Sequence, residues 1–528
     1  MKNKPYPYYD VPEIKNLQEM VSYCAEVYNT KTAFHYLNKS REITVSYKSF
    51  FEDVAALCNY FIKCGYNRTH IALLGENSYE WLVSFFAIVN SNNVVIPLDK
   101  ELDAKDINKL IIRSDSTVLI HSDNYTDEAE YNKQIKLINM KKLAKIISDN
   151  KTDICTDLSF YKSIKIDDNA MCAVFYTSGT TSEPKGVMLS HKNIALDAVY
   201  TNMNSTVPDS SILVLPLHHT YSTILAISVP MLVGSSVFIN KNMRTLMSDI
   251  LFCKPKYIAV VPLMLEIFYK KITEGLKSNG KEETIRKLVK ISNFSNKLGI
   301  DLRKKFFSKI IEAFGGRLEL LAVGGAPINP NTVKALTEFG IQVLSGYGTT
   351  ECSPIVSSVR NRHYKPDSVG YVIPNVKARI VDGEIQISGD IVFSGYYKDQ
   401  TATEAVFDGE WYKTGDLGSI ENGFLFIKGR CKNLIVLSNG ENISPEGIEA
   451  VLQENIPDIE EVLVYCENDK IVADIYISSL SAELKGDIIK AVDMINKSFP
   501  SYKQISNIFF REKEFEKTTT KKIKRNYK

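Results

Sequence analysis

Through roughly the first quarter of the chain, stretches with apolar residues at helical spacing alternate with short apolar runs. YKSFFEDVAALCNYFIKCG and YEWLVSFFAIVNS are of the first kind; HIALLG and NNVVIPLD are of the second. That alternation predicts an α/β sheet with covering helices. From Ser122 to Asp168 the chain turns polar and lysine-rich and reads as a surface excursion. Apolar runs then return as SILVLP, KYIAVVP, LELLAVGG and IQVLSGYG, each ending in Gly or Pro. Loops at the carboxyl ends of such strands are where open α/β sheets bind ligands. After about Gly370 the pattern changes to the short alternating strands VKARIVD, GEIQIS and GFLFIKGR, a β-rich subdomain. From Leu434 onward a small α+β domain is predicted. It comprises the strand LIVLS, a helix capped by Ser444 with Pro445 at its first position, the strands EVLVYCE and KIVADIYIS, a helix near 482–497, and a strand around ISNIFF. No internal repeat is evident.

A chain of 528 residues is too long for one core, so two or more domains are expected. Hydrophobic content of 44% and charged content of 24% are ordinary globular values, and a net charge of +2 points to no polyanionic partner, nucleic acid included. Nine cysteines without a CxxC pair read as a reduced chain. The start, MKNKPYPYYDVPEIKN, lacks the apolar core of a signal peptide, so a cytoplasmic location is expected. Ser210 to Asn240 carries no Lys, Arg, Asp or Glu and has the length of a membrane span. Pro216, Pro230, Gly234, His218 and His219 interrupt it, so a buried core segment is expected rather than a span. Peripheral membrane contact and oligomeric state stay open.

The chemistry concentrates in FYTSGTTSEPKGVMLSH, from Phe175 to His191. Hydroxyls and glycines after a strand offer closely spaced donors of the kind that hold phosphate oxygens. It is not a Walker loop, because Pro184 stands at the second glycine position and Gly186 at the final Ser/Thr. The stretch resembles the signature loop [YF]TSGTTxxPKGV of the adenylate-forming superfamily, which includes acyl-CoA synthetases, firefly-type luciferases and peptide-synthetase adenylation domains. Stretches similar to that family's other motifs follow in order: LPLHHT (215–220), GGAP (324–327), GYGTTE (346–351), YKTGDLG (412–418), GFLFIKGRCKNLI (423–435), NGENISPEGIE (439–449) and TTTKKIKR (518–525).

The resemblance covers essentially the whole chain. It implies a large N-terminal domain of doubly wound α/β sheets over 1–431, with the β-rich subdomain at about 355–430, and a small mobile α+β domain over 432–528. It also implies a reaction: a carboxylate attacks the α-phosphate of ATP, pyrophosphate leaves, and a thiol takes the acyl group from the acyl-adenylate. Both steps spread charge over phosphate oxygens, so preorganised donors and a divalent ion should dominate the rate gain.

By resemblance, Thr177, Ser178, Gly179, Thr180 and Thr181 cradle the β- and γ-phosphates, and Lys185 steadies the loop or the leaving pyrophosphate. Glu351 and Thr177 hold Mg²⁺, for which hard oxygen ligands are suited. Thr350 bonds the α-phosphate; Gly348 and Thr349 belong to the same nucleotide motif. Gly325 and Ala326 lie along the adenine with Tyr347 packed on the ring, and Asp416 and Arg430 take the ribose. Lys432 is the hinge. Lys522 points at the reacting phosphate for adenylation, and the loop around Asn439, Gly440 and Glu441 replaces it for thioester formation.

The tail departs from the family's P-K-[TS]-x-x-G-K: Glu516 replaces the proline and Lys521 the glycine, leaving it arguable whether Lys521 or Lys522 is the working amine. Leu263 stands where many relatives have arginine. The acid binding an amino acid's ammonium in peptide-synthetase domains is missing from His218–Ser222, and His219 is the residue type that lines the carboxylate end of the acyl pocket in fatty and aryl acid enzymes. A helical stretch from Ile267 to Ala313, rich in Lys, Phe and Leu, is similar to the long-chain type, and the uncharged Tyr221 to Phe238 is suited to an apolar acyl tunnel. The implied reaction joins a medium- or long-chain fatty acid to coenzyme A with ATP and Mg²⁺. Delivery to an acyl carrier protein, an aryl or other acid, and a nucleotide-binding regulator without turnover are the alternatives.

Overall fold

The predicted alternation closes into a six-stranded sheet. In the computed structural model, which describes residues 6–125, 135–151, 157–177, 183–278, 282–363, 365–438, 441–517 and 523–525, its strands run Lys136–Asn139, Val118–His121, His70–Leu74, Val94–Leu98, Met171–Thr177, Lys185–Ser190. The first five are parallel; the last turns back antiparallel and sets Thr177 opposite Lys185. The two-residue period of a strand divides this sheet between two cores. Ile71 and Leu73 face Phe50, Phe61 and Phe86 of the helices Tyr47–Lys63 and Tyr79–Asn90, while Ala72 and Leu74 face Ile107, Leu110 and Ile111 of Ala104–Arg113. Ser46, Ser78 and Asp103 cap these helices through the amides of Ser49, Trp81 and Asp106. The polar stretch from Ser122 to Asp168 is more than a surface excursion. Lys136–Asn139 is an edge strand, and Tyr161 is fully buried, its hydroxyl accepting from Asn90 Nδ2 at 2.7 Å.

The second sheet is larger. Ser236–Ile239, Ser210–Leu213, Tyr257–Val260, Leu320–Val323 and Gln342–Tyr347 form its parallel centre, with Thr32–Asn38 and Arg41–Ser46 outside. Gln342–Tyr347 is the junction: it is parallel to Leu320–Val323 on one side, and Gly346 and Tyr347 pair antiparallel with Ser357–Ser358 on the other. From there Tyr371–Val372, Phe424–Arg430, Trp411–Glu421, Glu384–Ser388 and Lys377–Val381 continue the sheet. The β-rich stretch therefore extends this sheet rather than standing alone. The uncharged 210–240 region is folded into the core: Ser222–Ser228 is a π-helical turn buried at every position. Among the described residues no helix is long and apolar enough to cross a membrane.

Residues after Cys431 have a core of their own, built from Ile443, Leu452, Val464, Ala473, Ile475, Ile488 and Val492. Three strands, Glu461–Glu467, Lys470–Tyr476 and Ile505–Arg511, carry the helices Pro445–Asn455 and Ala482–Asn496, as the pattern predicts. Ser444 caps the first helix by accepting from the Gly447 amide at 3.3 Å, and Pro445 opens it. The same Ser444 hydroxyl donates to the Lys428 carbonyl at 2.6 Å, seating this body on the strand Phe424–Arg430 of the large sheet.

Candidate active site

The glycine- and hydroxyl-rich stretch after Thr177 joins the two strands of the terminal hairpin. Ser178, Gly179, Thr180 and Thr181 lie outside the described residues, while both stems are described. Thr177 is half-buried, its hydroxyl 3.5 Å from the Lys185 carbonyl. The outer stem is laced to the segment around Tyr396: Met188 N–H donates to Gly395 at 3.1 Å and Tyr397 N–H to Gly186 at 2.7 Å. Within the hairpin itself, Gly186 makes room for the inner stem, since a Cβ there would stand 2.8 Å from Val174. The lacing places the Lys185 ammonium 4.7 Å from the centre of the Tyr396 ring. On its other side the Tyr396 hydroxyl donates to Glu351 Oε1 at 2.9 Å. Burial first, then the Glu351 carboxylate, push this hydroxyl far above the ordinary tyrosine value, so it remains a donor. Lys185 and Glu351, 166 residues apart, are thus joined through one phenol. Nothing in the sequence reading singled out Tyr396; the aromatic pair in SGYYKD was its only mark.

Glu351 sits in the tight turn Thr350–Cys352 that follows Gln342–Tyr347. Gly348 allows the turn, because a Cβ at that position would overlap the Pro354 carbonyl. Thr349 and Thr350 are half-buried beside it, and Phe393 N–H donates to the Glu351 carbonyl at 2.8 Å. From beneath, the fully buried Asp197 accepts the Ile355 amide at 3.2 Å, and burial raises its carboxyl well above the usual range.

Asp416 and Arg430 face each other across adjacent strands, and the register pairs them directly. Arg430 Nε lies 2.8 Å from Asp416 Oδ1, and the Tyr347 hydroxyl donates to Oδ2 at 2.7 Å. Asp416 is buried, and its amide donates to Thr414 Oγ1 at 3.1 Å. The preceding Gly415 has φ +69 and donates to Glu384 Oε1 at 2.8 Å, a backbone that a side chain would strain. Lys432 follows Arg430 by two residues; burial, then Arg430, lower its ammonium below the usual lysine value. Gly325 is exposed with φ +88 and open space where a Cβ would stand, and Ala326 beside it is half-exposed, leaving a bare ledge of backbone. Glu441 is exposed, its carbonyl accepting from Leu437 N–H at 3.0 Å. Asn439, Gly440 and Lys522 lie outside the described residues, as does Lys521.

The two histidines of LPLHHT lie with ring centres 4.0 Å apart and planes tilted by 50°. Burial above all, then His219 and Lys100, hold His218 well below the usual imidazole value, so it is neutral although Asp99 lies 3.5 Å away. Two residues after His219, Tyr221 lines a small apolar cavity of about 30 Å³ with Leu225, Val229, Tyr257, Val323 and Gly346. The Tyr221 hydroxyl donates to the carbonyls of Val260 and Ala322 at 3.2 and 3.3 Å, and the Tyr257 hydroxyl to that of Leu225 at 2.8 Å. Consecutive residues of one strand therefore serve two surfaces: Gly346 walls the cavity and Tyr347 reaches Asp416.

Residues 22–397 match the family of AMP-binding enzymes, and 432–527 match the AMP-binding enzyme C-terminal domain. The chain belongs to the AMP-binding enzyme family. It is 32% identical over 312 residues to the peroxisomal long chain acyl-CoA synthetase 7 of Arabidopsis thaliana, covering 53% of this chain and 44% of that one. It is 29% identical over 474 residues to long-chain-fatty-acid–CoA ligase 5 of Rattus norvegicus, covering 80% and 69%. The fold is similar to that of o-succinylbenzoate CoA synthetase from Bacillus subtilis bound to its acyl-adenylate, with a TM-score of 0.74, 21% identity and 96% of each chain covered.

Proposed function

We propose that this chain is an ATP-dependent acyl-CoA synthetase that activates a medium- or long-chain fatty acid as its adenylate. The observation that carries the reading is the shared strand: an apolar cavity lies on one side of it and Tyr347, bonded to the buried Asp416 that Arg430 pairs from the surface, on the other, with Glu351 four residues beyond Tyr347. As it stands the cavity holds only a water or two, so an acyl tail entering here would displace the walls around Tyr221 and Leu225, its carboxylate then lying toward the polar side. In the first step a carboxylate oxygen bonds to the α-phosphorus and the bond to the β-phosphate bridging oxygen breaks, releasing pyrophosphate. In the second the thiolate of coenzyme A attacks the acyl carbon and AMP leaves.

In this reading Asp416 and Arg430 orient the ribose, and the ledge at Gly325 and Ala326 receives the base. Thr177, Ser178, Gly179, Thr180 and Thr181, with Lys185, bind the leaving phosphates, while Gly348, Thr349 and Thr350 meet the α-phosphate. Tyr396 fixes both Lys185 and Glu351 before substrate arrives. Glu351 and Thr177 supply hard oxygen atoms suited to Mg²⁺, which takes few protein ligands and fills its shell with phosphate and water; bound there it would neutralise phosphate charge. The small domain, pivoting at Lys432, brings Lys522 for the first step and Asn439, Gly440 and Glu441 for the second.

Pyrophosphate exchange over a panel of fatty, aryl and amino acids tests the reading. Exchange stimulated by fatty acids, followed by thioester formation with coenzyme A, is expected. Exchange with none of the acids would refute it, and thiolation of a carrier protein in place of coenzyme A would reassign the acceptor.

A further inference from the structure

The helical stretch before Leu320 contributes nothing to the site just described, yet it combines exposed apolar side chains with an excess of cations. Residues 262–312 contain twelve Lys and Arg against six Asp and Glu, a net of +6 in a chain whose total is +2. The helix Glu282–Lys297 packs against Pro330–Glu338 through one face, where Ser292 is buried and Asn293 Nδ2 donates to Glu338 Oε1 at 2.9 Å. Its opposite face carries Ile291 and Phe294 at positions i and i+3, 51% and 66% exposed, and Leu298 in the turn just past its end is 65% exposed. Ile300, also exposed, extends the apolar strip. Arg286, Lys287, Lys290 and Lys297 are exposed alongside it. Lys287 pairs with Glu283 at 2.8 Å, whereas Arg286, Lys290 and Lys297 have no ion pair among the described residues. The neighbouring helix Pro262–Ser278 repeats the combination, with Leu263 and Ile267 exposed ahead of exposed Lys270 and Lys271.

Exposed large apolar residues in a row call for a partner, and the charge beside them says which kind. A nucleic acid would use the lysines and leave the apolar strip in water. A paired helix would be met by charges of both signs along its flanks. One apolar strip bordered by cations is the composition of a helix that lies in a bilayer interface, its apolar side chains among the upper acyl carbons and its lysines reaching up to phosphates. We propose that the exposed face of Glu282–Lys297 and the turn that follows it, through Ile291, Phe294 and Leu298 with Arg286, Lys290 and Lys297, docks this protein on bilayers that contain anionic lipid. The proposal does not depend on the catalytic reading.

The test is co-sedimentation of the full chain with vesicles of phosphatidylcholine alone and of phosphatidylcholine mixed with phosphatidylglycerol. Binding to the mixed vesicles that weakens as salt is raised, with little binding to the neutral ones, is expected. The pairs Phe294→Ser/Leu298→Ser and Lys290→Glu/Lys297→Glu should each reduce partitioning about tenfold or more. Because these side chains are exposed, thermal unfolding and pyrophosphate exchange with a water-soluble acid should be unchanged. A wild-type chain that stays in the supernatant with the mixed vesicles, or variants that pellet as well as wild type, would overturn the proposal. A concentration-dependent dimer that Phe294→Ser/Leu298→Ser dissolves, without vesicle binding, would overturn it in favour of a second copy of the chain.

Discussion

Tyr396 holds a cation over its face and a carboxylate at its hydroxyl, so removing one oxygen atom separates the two functions. Tyr396→Phe keeps the ring under Lys185 and leaves Glu351 without its donor. A hydrogen bond to a charged group contributes about 1.5 kcal/mol or more, so kcat/KM for ATP in pyrophosphate exchange should fall about tenfold with little change in unfolding temperature. A second single-residue effect concerns acid. His191 opens the helix after Ser190 and is buried, and burial pulls its imidazole from 6.5 down to about 4 despite the opposing charge of Asp168. Between those values the unfolded chain binds a proton that the native one does not. Stability is therefore complete above pH 6.5 and declines as pH falls toward 4, by about 2 kcal/mol between pH 7 and pH 5. Denaturant titrations should show that slope reduced in His191→Gln; an equal slope would remove His191 as its source. Asp416 and Arg430 could be recognised in the sequence because each sits inside a run of matching neighbours. Tyr396 could not, since its meaning lies in contacts with residues 45 and 211 positions away.

Among the elements, the turn after Gln342–Tyr347 is the most constrained. Gly348→Ala would drive a methyl group into the Pro354 carbonyl and displace Thr350 and Glu351 together. Exchange activity should drop at least a hundredfold, while the core strands stay folded by circular dichroism, corresponding to about 2.7 kcal/mol or more of lost transition-state stabilisation. The cavity walls make a different prediction. As it stands the space accommodates one or two waters. Tyr221→Ala should widen it and shift the preferred acid to longer chains in a KM ladder; an unchanged ladder would place the acyl tail elsewhere. Helix and strand positions follow directly from local periodicity and caps, as Ser444 with Pro445 and the buried runs at Val94–Leu98 show. What local pattern does not encode is lateral pairing. The union of the β-rich strands with the parallel sheet through Gly346 and Tyr347, and the role of Tyr161 as an anchor for Asn90 and Gln18, depend on partners brought together only by the tertiary fold.

For the molecule as a whole, the proposed reading divides labour between two bodies, so a change in the smaller one should affect one half-reaction and spare the other. Lys522→Ala should slow adenylate formation roughly a hundred- to a thousandfold, about 3–4 kcal/mol. Thiolysis of acyl-adenylate supplied from outside should be nearly unaffected. If Lys521→Ala is the crippled variant instead, the working amine is its neighbour. The bridge at Ser444 adds a consequence for the joint itself. Its oxygen grips inward to the start of its own helix and outward to the Lys428 carbonyl through separate interactions, so the outer grip can release without fraying the helix. Aspartate at this position would retain the inward grip but set a negative group against that carbonyl. The variant would keep its fold while its two halves drift apart, a bias that scattering or a distance probe across the joint would detect.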